Sequence, residues 1–140
     1  PSLITAMSQI LLEIYPKSNL ISKTIEEFAK KLDCQGFIFL DSNAYIIGSY
    51  YKDKSTRDIL LSSIPHFFSL NDQFQLDGMD NNTIHMILER FGNYFLFKDI
   101  PIQNKTSPYY IFILKNNNPW ELYFSKKEFN TFAKLMKEFI

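Results

Sequence analysis

Cysteine is nearly absent from this sequence, since Cys34 is the only one in 140 residues. A single cysteine excludes a disulfide within the chain and any metal site built from several cysteines, and it fits a reducing compartment. The sequence also lacks an apolar run of about 18 residues and a signal-peptide pattern, so it predicts no membrane association. We therefore expect a cytoplasmic protein.

Net charge is missing as well, because 15 Lys and Arg residues balance 15 Asp and Glu residues. Without a net field to attract a polyanion, this segment is not expected to bind nucleic acid. DNA would be reached only through another domain outside the segment. The sequence has no glycine-rich phosphate loop, nucleophile elbow or His/Cys metal spacing, so we expect no enzyme, cofactor or metal.

Aromatic residues are abundant, with 14 Phe and 8 Tyr. They predict an aromatic-lined core or pocket, and the chain length fits a single domain with one core. We interpret residues 1–140 as one domain. Pro1 at the start and Ile140 within a helical pattern suggest a fragment of a longer chain that carries an effector domain elsewhere.

A β-hairpin over Gly36–Tyr51 is the strongest local prediction. Two apolar and aromatic runs flank Asp41-Ser42-Asn43, three residues that favour a turn. The first run, Gly36–Leu40, does not alternate, which is typical of a strand covered on both faces. Gly48 interrupts the second run and predicts a bulge or a close approach to the backbone.

Helical periodicity predicts helices over Ser2–Tyr15 and Leu20–Leu32. The Ser55–Asp58 segment has the form of a capping box and predicts a third helix that Pro65 ends. The polar segment Ser69–Asn82 then predicts a long loop, which would be a lid or a mobile connector. Its acidic spacing does not match a calcium-binding loop.

Three strands are predicted after this loop, over Thr83–Arg90, Tyr94–Ile102 and Pro108–Lys115. A closing helix follows with a complete start signal. Ser125 is its predicted N-cap and Glu128 completes the capping box. The remaining residues carry an apolar stripe at helical spacing.

The segments LDCQGFIFLDSNAYIIGSYY and IPIQ…SPYYIFIL…YFSKKEFNTFAKLMKEFI, in this order of elements, resemble GAF-type sensor domains. Within that superfamily the chain is similar to the ligand-binding domain of CodY-type bacterial transcription regulators. The resemblance implies an α+β fold. It would be a GAF-like twisted antiparallel sheet of five to six strands, flanked by N-terminal and C-terminal helices.

The resemblance also implies a function, the sensing of a small molecule by a transcription regulator, with an amino acid as one candidate. Arg57 falls where that family holds the carboxylate of its effector, a role suited to a guanidinium. The ligand would bind between the sheet and the helix that carries Arg57. Phe67, Phe68 and Phe74 could roof this pocket or belong to the core, and His85 could contact the ligand or be structural. A homodimer through the terminal helices would transmit the signal.

A different class of function also fits the sequence. A GAF-like or PAS-like domain with a filled core could act purely as a dimerisation or interaction module without any ligand. The two interpretations differ in whether aromatic side chains fill the centre of the domain or leave a pocket there.

Overall fold

The computed structural model describes residues 17–76, 85–117 and 126–140, which form helices and an antiparallel sheet of class α+β. The elements follow the predicted order of helix, hairpin, helix, three strands and helix. In chain order they are α1 (Ser18–Lys31), β1 (Gly36–Leu40), β2 (Ile46–Tyr51), α2 (Lys54–Leu76), β3 (His85–Arg90), β4 (Asn93–Ile100), β5 (Tyr109–Lys115) and α3 (Lys126–Phe139).

The five strands form one sheet in the order β2-β1-β5-β4-β3, with every neighbouring pair antiparallel. Strand β1 is central and buried along its whole length, and helices pack on both faces of the sheet over it, which explains why Gly36–Leu40 is apolar without alternation. The two edges of the sheet are therefore β2 and β3.

One face of the sheet packs against α1 and α3. Phe132 of α3 lies at the centre of this core, where its ring centroid is 5.4 Å from that of Phe28 in α1 and 5.3 Å from those of Phe37 and Phe39 in β1. These contacts join both helices to the middle of the sheet.

Among the described elements, α2 is the one that packs against the opposite face. Phe67 of α2 lies over the sheet, with its ring centroid 4.7 Å from that of Phe112 and 5.9 Å from that of Phe97. Leu60 and Ile64 belong to the same cluster. The aromatic residues that the composition pointed to are therefore divided between two cores, one on each face.

The predicted hairpin is confirmed as β1 and β2, and so is the special position of Gly48. The register shifts between Phe39 and Leu40, which marks a bulge in the pairing. A Cβ atom on Gly48 would lie 2.7 Å from Cδ1 of Ile25 and 2.9 Å from Cγ2 of Ile21. Glycine thus lets α1 approach the backbone of β2 closely.

The prediction that Pro65 ends its helix is wrong, because α2 continues through Pro65 to Leu76. Proline removes one backbone hydrogen bond from a helix interior. The residues beyond it are held by the sheet, since Phe67 is buried and Asn71 Nδ2 donates to the hydroxyl of Tyr110 at 3.3 Å. Residues 69–76 of the predicted loop are consequently helical.

Three other predictions lie wholly or partly outside the described residues. They are the helix over Ser2–Tyr15, the rest of the predicted loop, and the Ser125 cap. Helix α3 itself is confirmed, and its apolar stripe faces the sheet.

The capping-box pattern indicated Ser55 as the N-cap of α2. In the structure the cap is Asp53. The backbone N–H of Thr56 donates to Oδ1 of Asp53 at 2.8 Å, and the N–H of Arg57 donates to the carbonyl of Asp53 at 3.2 Å. The side-chain bond satisfies one of the unpaired N–H groups at the helix start. Hydrogen bonds from the Thr56 N–H and hydroxyl lower the pKa of the Asp53 carboxyl.

This cap should make a pH-dependent contribution to stability. A folded-state pKa below the ordinary value of 3.8 gives stability that is present above that value and is lost as the pH falls through the lower, folded-state pKa. We expect Asp53→Ala to lower the melting temperature near neutral pH, with the difference from wild type shrinking in strong acid. Asp53→Asn should keep the cap, because asparagine caps helices equally well. Thermal unfolding followed by circular dichroism, from neutral pH to strong acid, measures these differences. An asparagine variant that melts like the alanine variant would contradict the role of Asp53 as the helix cap.

Candidate interaction surface

The two edges of the sheet differ in how they are covered. Edge strand β2 packs against α1 on one face of the sheet, where Gly48 allows a close contact, and its side chains are buried or half-buried. Edge strand β3 pairs with β4 on one side, and no strand within the described ranges pairs with its other side. Four of its six residues, Ile87–Arg90, are exposed.

Apolar side chains are exposed on both faces of β3. Leu88 is opposite Phe95 and lies on the α2 face, with 43% of its surface exposed. Ile87 is opposite Leu96 and lies on the face of α1 and α3, with 36% exposed. Since a free strand edge presents unpaired N–H and C=O groups, β3 has the features of a site for strand pairing.

Helix α2 also carries exposed apolar side chains. Ile59, Leu70 and Phe74 are exposed and lie along one flank of the helix, beside its buried stripe. Phe67 borders this flank, and its ring is 6.1 Å from that of Phe95 in β4. We call the exposed residues Ile59, Leu70, Phe74, Ile87 and Leu88 the β3–α2 surface.

The hairpin tip between β3 and β4 adds a protruding aromatic residue. Phe91 is 88% exposed and has a φ of 51°, while Gly92 beside it has a φ of 77°. The guanidinium carbon of Arg90 lies 4.8 Å from the centroid of the Phe91 ring. A large side chain is uncommon at positive φ.

The four residues predicted to bind a ligand lie at separate places. Arg57 is near the start of α2, with Nε 3.5 Å from Oδ1 of Asp58. Phe68 is half-buried and lies about 16 Å further along the helix, where it packs on Phe97 and Tyr110. The structure therefore does not bring Arg57 and Phe68 into one pocket.

Phe74 and His85 lie toward the other end of the domain. Phe74 is exposed on the flank of α2, and His85 is half-buried at the start of β3, opposite Lys98. A cleft with a volume of about 260 Å³ lies elsewhere, between α3 and the segment after β4. None of the four predicted residues lines it.

The space between the sheet and α2, where a small molecule was expected, is occupied by side chains. The rings of Phe67, Phe97 and Phe112 pack there at centroid distances of 4.7 to 6.1 Å. Throughout the described part of the chain, no buried side-chain nitrogen or oxygen lacks a hydrogen-bond partner. A ligand site usually combines a cavity with polar groups that await a partner, whereas the described residues between the sheet and α2 fill the space with aromatic rings and leave no buried polar side-chain atom unpaired.

Two further classes of site were searched for in the same residues. No group of three or more His, Cys, Asp or Glu side chains in 17–76, 85–117 and 126–140 is arranged to hold a metal ion. None of the helices described there has the length and apolarity needed to cross a membrane.

The fold is similar to that of Roadblock/LC7 domains. The structure of Myxococcus xanthus MglB matches with a TM-score of 0.64 and 10% identity over 88% of this chain and 92% of that one. A structure described as MglB with tetrameric arrangement matches with a TM-score of 0.59 and 6% identity over 88% and 89%. A Roadblock/LC7 domain from Streptomyces avermitilis matches with a TM-score of 0.59 and 8% identity over 84% and 94%. No protein-family model and no curated protein sequence matches the chain.

These matches correct the GAF interpretation. The resemblance to CodY-type regulators is wrong, and with it the prediction of a ligand-sensing domain of a transcription regulator that binds a small-molecule effector. The order of elements was predicted correctly, but the same order occurs in the Roadblock/LC7-like fold. The packed aromatic rings between the sheet and α2 give the physical reason, because they occupy the expected pocket.

The sequence interpretation missed the β3–α2 surface. The apolar pattern places Ile87 and Leu88 in a predicted strand and does not indicate that they are exposed. A usable signal was present in Phe91-Gly92, because hairpin turns of this kind favour Asn or Asp before Gly. A phenylalanine in that place points to a role outside the hairpin itself.

Proposed function

We propose that this chain is a self-associating protein–protein interaction module that uses the β3–α2 surface. The observation that carries the proposal is the outer edge of β3, which no strand within the described residues pairs with and where Ile87 and Leu88 are exposed on opposite faces. Strand pairing along such an edge satisfies backbone groups, and apolar contacts on both faces add specificity. The proposed role is binding without catalysis.

The partner favoured here is a second copy of the chain. An edge strand paired with its own copy gives an isologous contact, in which the same surface is buried on both subunits. The Roadblock/LC7-like fold supports this choice, because one similar structure is described as MglB with tetrameric arrangement. The C-terminal helix α3 is less suited to the dimer contact predicted for it, since its apolar stripe is buried against the chain's own sheet.

A cytoplasmic location is part of the proposal. The sequence has a single cysteine, Cys34, which is buried, and low cysteine usage fits a reducing compartment.

The proposal is tested by a charge placed on the β3 edge. Ile87→Lys should raise the Kd of self-association by at least about tenfold, because it removes apolar contact and brings two lysines together across the two-fold axis. The matched control is Tyr45→Lys, since Tyr45 has the same exposed fraction, 36%, but lies in the other hairpin beside β2. Sedimentation equilibrium over a range of concentrations measures both variants and the wild type.

Two outcomes would contradict the proposal. One is a wild-type protein that stays monomeric at every concentration. The other is an Ile87→Lys protein that associates as tightly as the Tyr45→Lys control.

A further inference from the structure

A cleft between α3 and the segment that follows β4 lies apart from the surface proposed for self-association. Its volume is about 260 Å³. The residues that line it are Pro101 and Gln103 on one side and Asn130, Ala133, Lys134 and Lys137 of α3 on the other. None of them belongs to the β3–α2 surface, so the cleft offers a separate place for a partner to bind.

The segment that forms one wall of the cleft is held in place by its own contacts. Ile102 is buried in the core beneath α1 and α3, while Pro101 and Gln103 on either side of it are exposed. The backbone N–H of Lys105 donates to the carbonyl of Ile102 at 3.1 Å and closes a turn. Because this wall is fixed before a partner arrives, binding does not have to order it.

The wall formed by α3 is a basic flank of the helix. Lys134 and Lys137 are three residues apart and lie on the same side of α3, together with Asn130. The two acids of α3, Glu128 and Glu138, are not among the residues that line the cleft. Two positive charges therefore face the cleft, and no carboxylate belongs to its lining.

Strand β4 adds a third cation on this side of the sheet. Side chains alternate along a strand, so Lys98 is on the same face as Leu96 and Ile100, which pack beneath α1 and α3. Asp99 is on the opposite face, where it is paired with Tyr110 of the cluster under α2. The carboxylate nearest in the sequence to this wall of the cleft is therefore directed to the other side of the sheet.

A hydrogen bond joins the two walls of the cleft. Nζ of Lys137 donates to Oε1 of Gln103 at 3.0 Å. An ammonium group has three N–H donors, so two remain for an anion, and the amide nitrogen of Gln103 is a further donor. Asn130 brings a second side-chain amide. Since amides both donate and accept, the pair suits the N–H and C=O groups of a peptide backbone.

The end of α3 would by itself disfavour an anion, because the carbonyls at a helix C-terminus carry partial negative charge. Lys17 offsets this effect, since its Nζ donates to the carbonyl of Glu138 at 3.1 Å. Lys137 in the last turn acts in the same direction. The side chains around the cleft therefore give it a positive potential.

We propose that this cleft binds an acidic peptide segment of a partner protein, with carboxylates on Lys134 and Lys137 and the peptide backbone along the two side-chain amides. Charge complementarity carries the choice, because the lining has cations and no acid. A free phosphate ion would use the lysines but leave the amides and the apolar contacts of Pro101 and Ala133 without a role. The site goes beyond the proposed self-association and needs no second copy of the chain.

The ligand class is tested with a fluorescein-labelled octapeptide of alternating Glu and Ala, compared with the same peptide carrying Gln in place of Glu. Fluorescence anisotropy at low ionic strength measures the Kd of each. The Glu peptide should bind at least about tenfold more tightly than the Gln peptide. Added salt should weaken the binding of the Glu peptide, because salt screens exposed charges.

The location is tested with Lys134→Glu, which should raise the Kd of the Glu peptide by at least about tenfold. Lys134 is exposed, so the variant should fold as the wild type does. The matched control is Lys52→Glu, the same change at an exposed lysine that follows Tyr51 at the opposite end of the sheet. In the wild type, the side-chain amide NMR signals of Gln103 and Asn130 should shift when the Glu peptide is added.

Several results would overturn the inference. They are a Glu peptide that does not bind at concentrations up to about 1 mM, equal Kd values for the two peptides, and equal losses of affinity in Lys134→Glu and Lys52→Glu. Tripolyphosphate that binds the cleft more tightly than the Glu peptide would assign it to phosphate compounds instead. Self-association of Lys134→Glu should match that of the wild type in sedimentation equilibrium, so the two proposals stand or fall separately.

Discussion

Replacing Phe67 with alanine is expected to lower the free energy of unfolding by about 3–5 kcal/mol. The side chain is buried and its ring contacts those of Phe95, Phe97 and Phe112, so truncation leaves a cavity between α2 and the sheet. The half of α2 that follows Pro65 depends on such contacts, because proline has removed one of its backbone bonds. Urea denaturation measures the change.

Phe74→Ala is the matched control for this prediction. It makes the same substitution on the same helix, but Phe74 is exposed. We expect a change in the free energy of unfolding of the monomer within about 0.5 kcal/mol, together with weaker self-association. Equal losses of stability at the two positions would contradict the packing of α2 described above.

The order of the elements could be predicted from the sequence because each carries a local signal. The hairpin has a polar turn between two apolar runs, and α3 has a stripe at helical spacing. The length of α2 could not be predicted, because Pro65 is a local stop signal and the contacts that override it come from residues on distant strands. Packing against the sheet determines where α2 ends, and a single sequence does not show that packing.

Lys115 illustrates a second limit. At the end of an apolar strand a lysine is expected to be exposed, yet it is fully buried and its Nζ donates to the carbonyls of Leu32 at 2.6 Å and Asp33 at 3.2 Å. These carbonyls follow the last turn of α1, where a cation is favourable. The contact joins positions more than eighty residues apart in the sequence, so no local sequence pattern predicts it.

The β3–α2 surface could not be predicted from the sequence for a related reason. Whether Ile87 and Leu88 are core or surface depends on the position of β3 in the sheet, and the sequence gives strands without giving their spatial order. The order β2-β1-β5-β4-β3 places β3 at an edge and so turns two ordinary strand residues into a surface. The GAF resemblance failed for the same kind of reason, since it relied on element order and short motifs and could not show that aromatic rings fill the space beside α2.

Replacing Phe132 with alanine should be as damaging as the change at Phe67, at about 3–5 kcal/mol. Phe132 is fully buried and links α3 to Phe28 of α1 and to Phe37 and Phe39 of β1. Its loss would loosen both helices on that face. Thr131→Ala, next to it on the exposed side, serves as the control and should change the free energy of unfolding by no more than about 0.5 kcal/mol.

A pair of milder substitutions would show whether the two faces of the sheet are independent cores. Phe67 and Phe132 pack on opposite faces and share no ring contact. Phe67→Leu and Phe132→Leu should therefore add within about 0.5 kcal/mol in the double variant. A larger coupling energy would mean that strain passes through the sheet from one face to the other. Additivity would instead let α2, and the β3–α2 surface beside it, be altered without disturbing the core beneath α1 and α3.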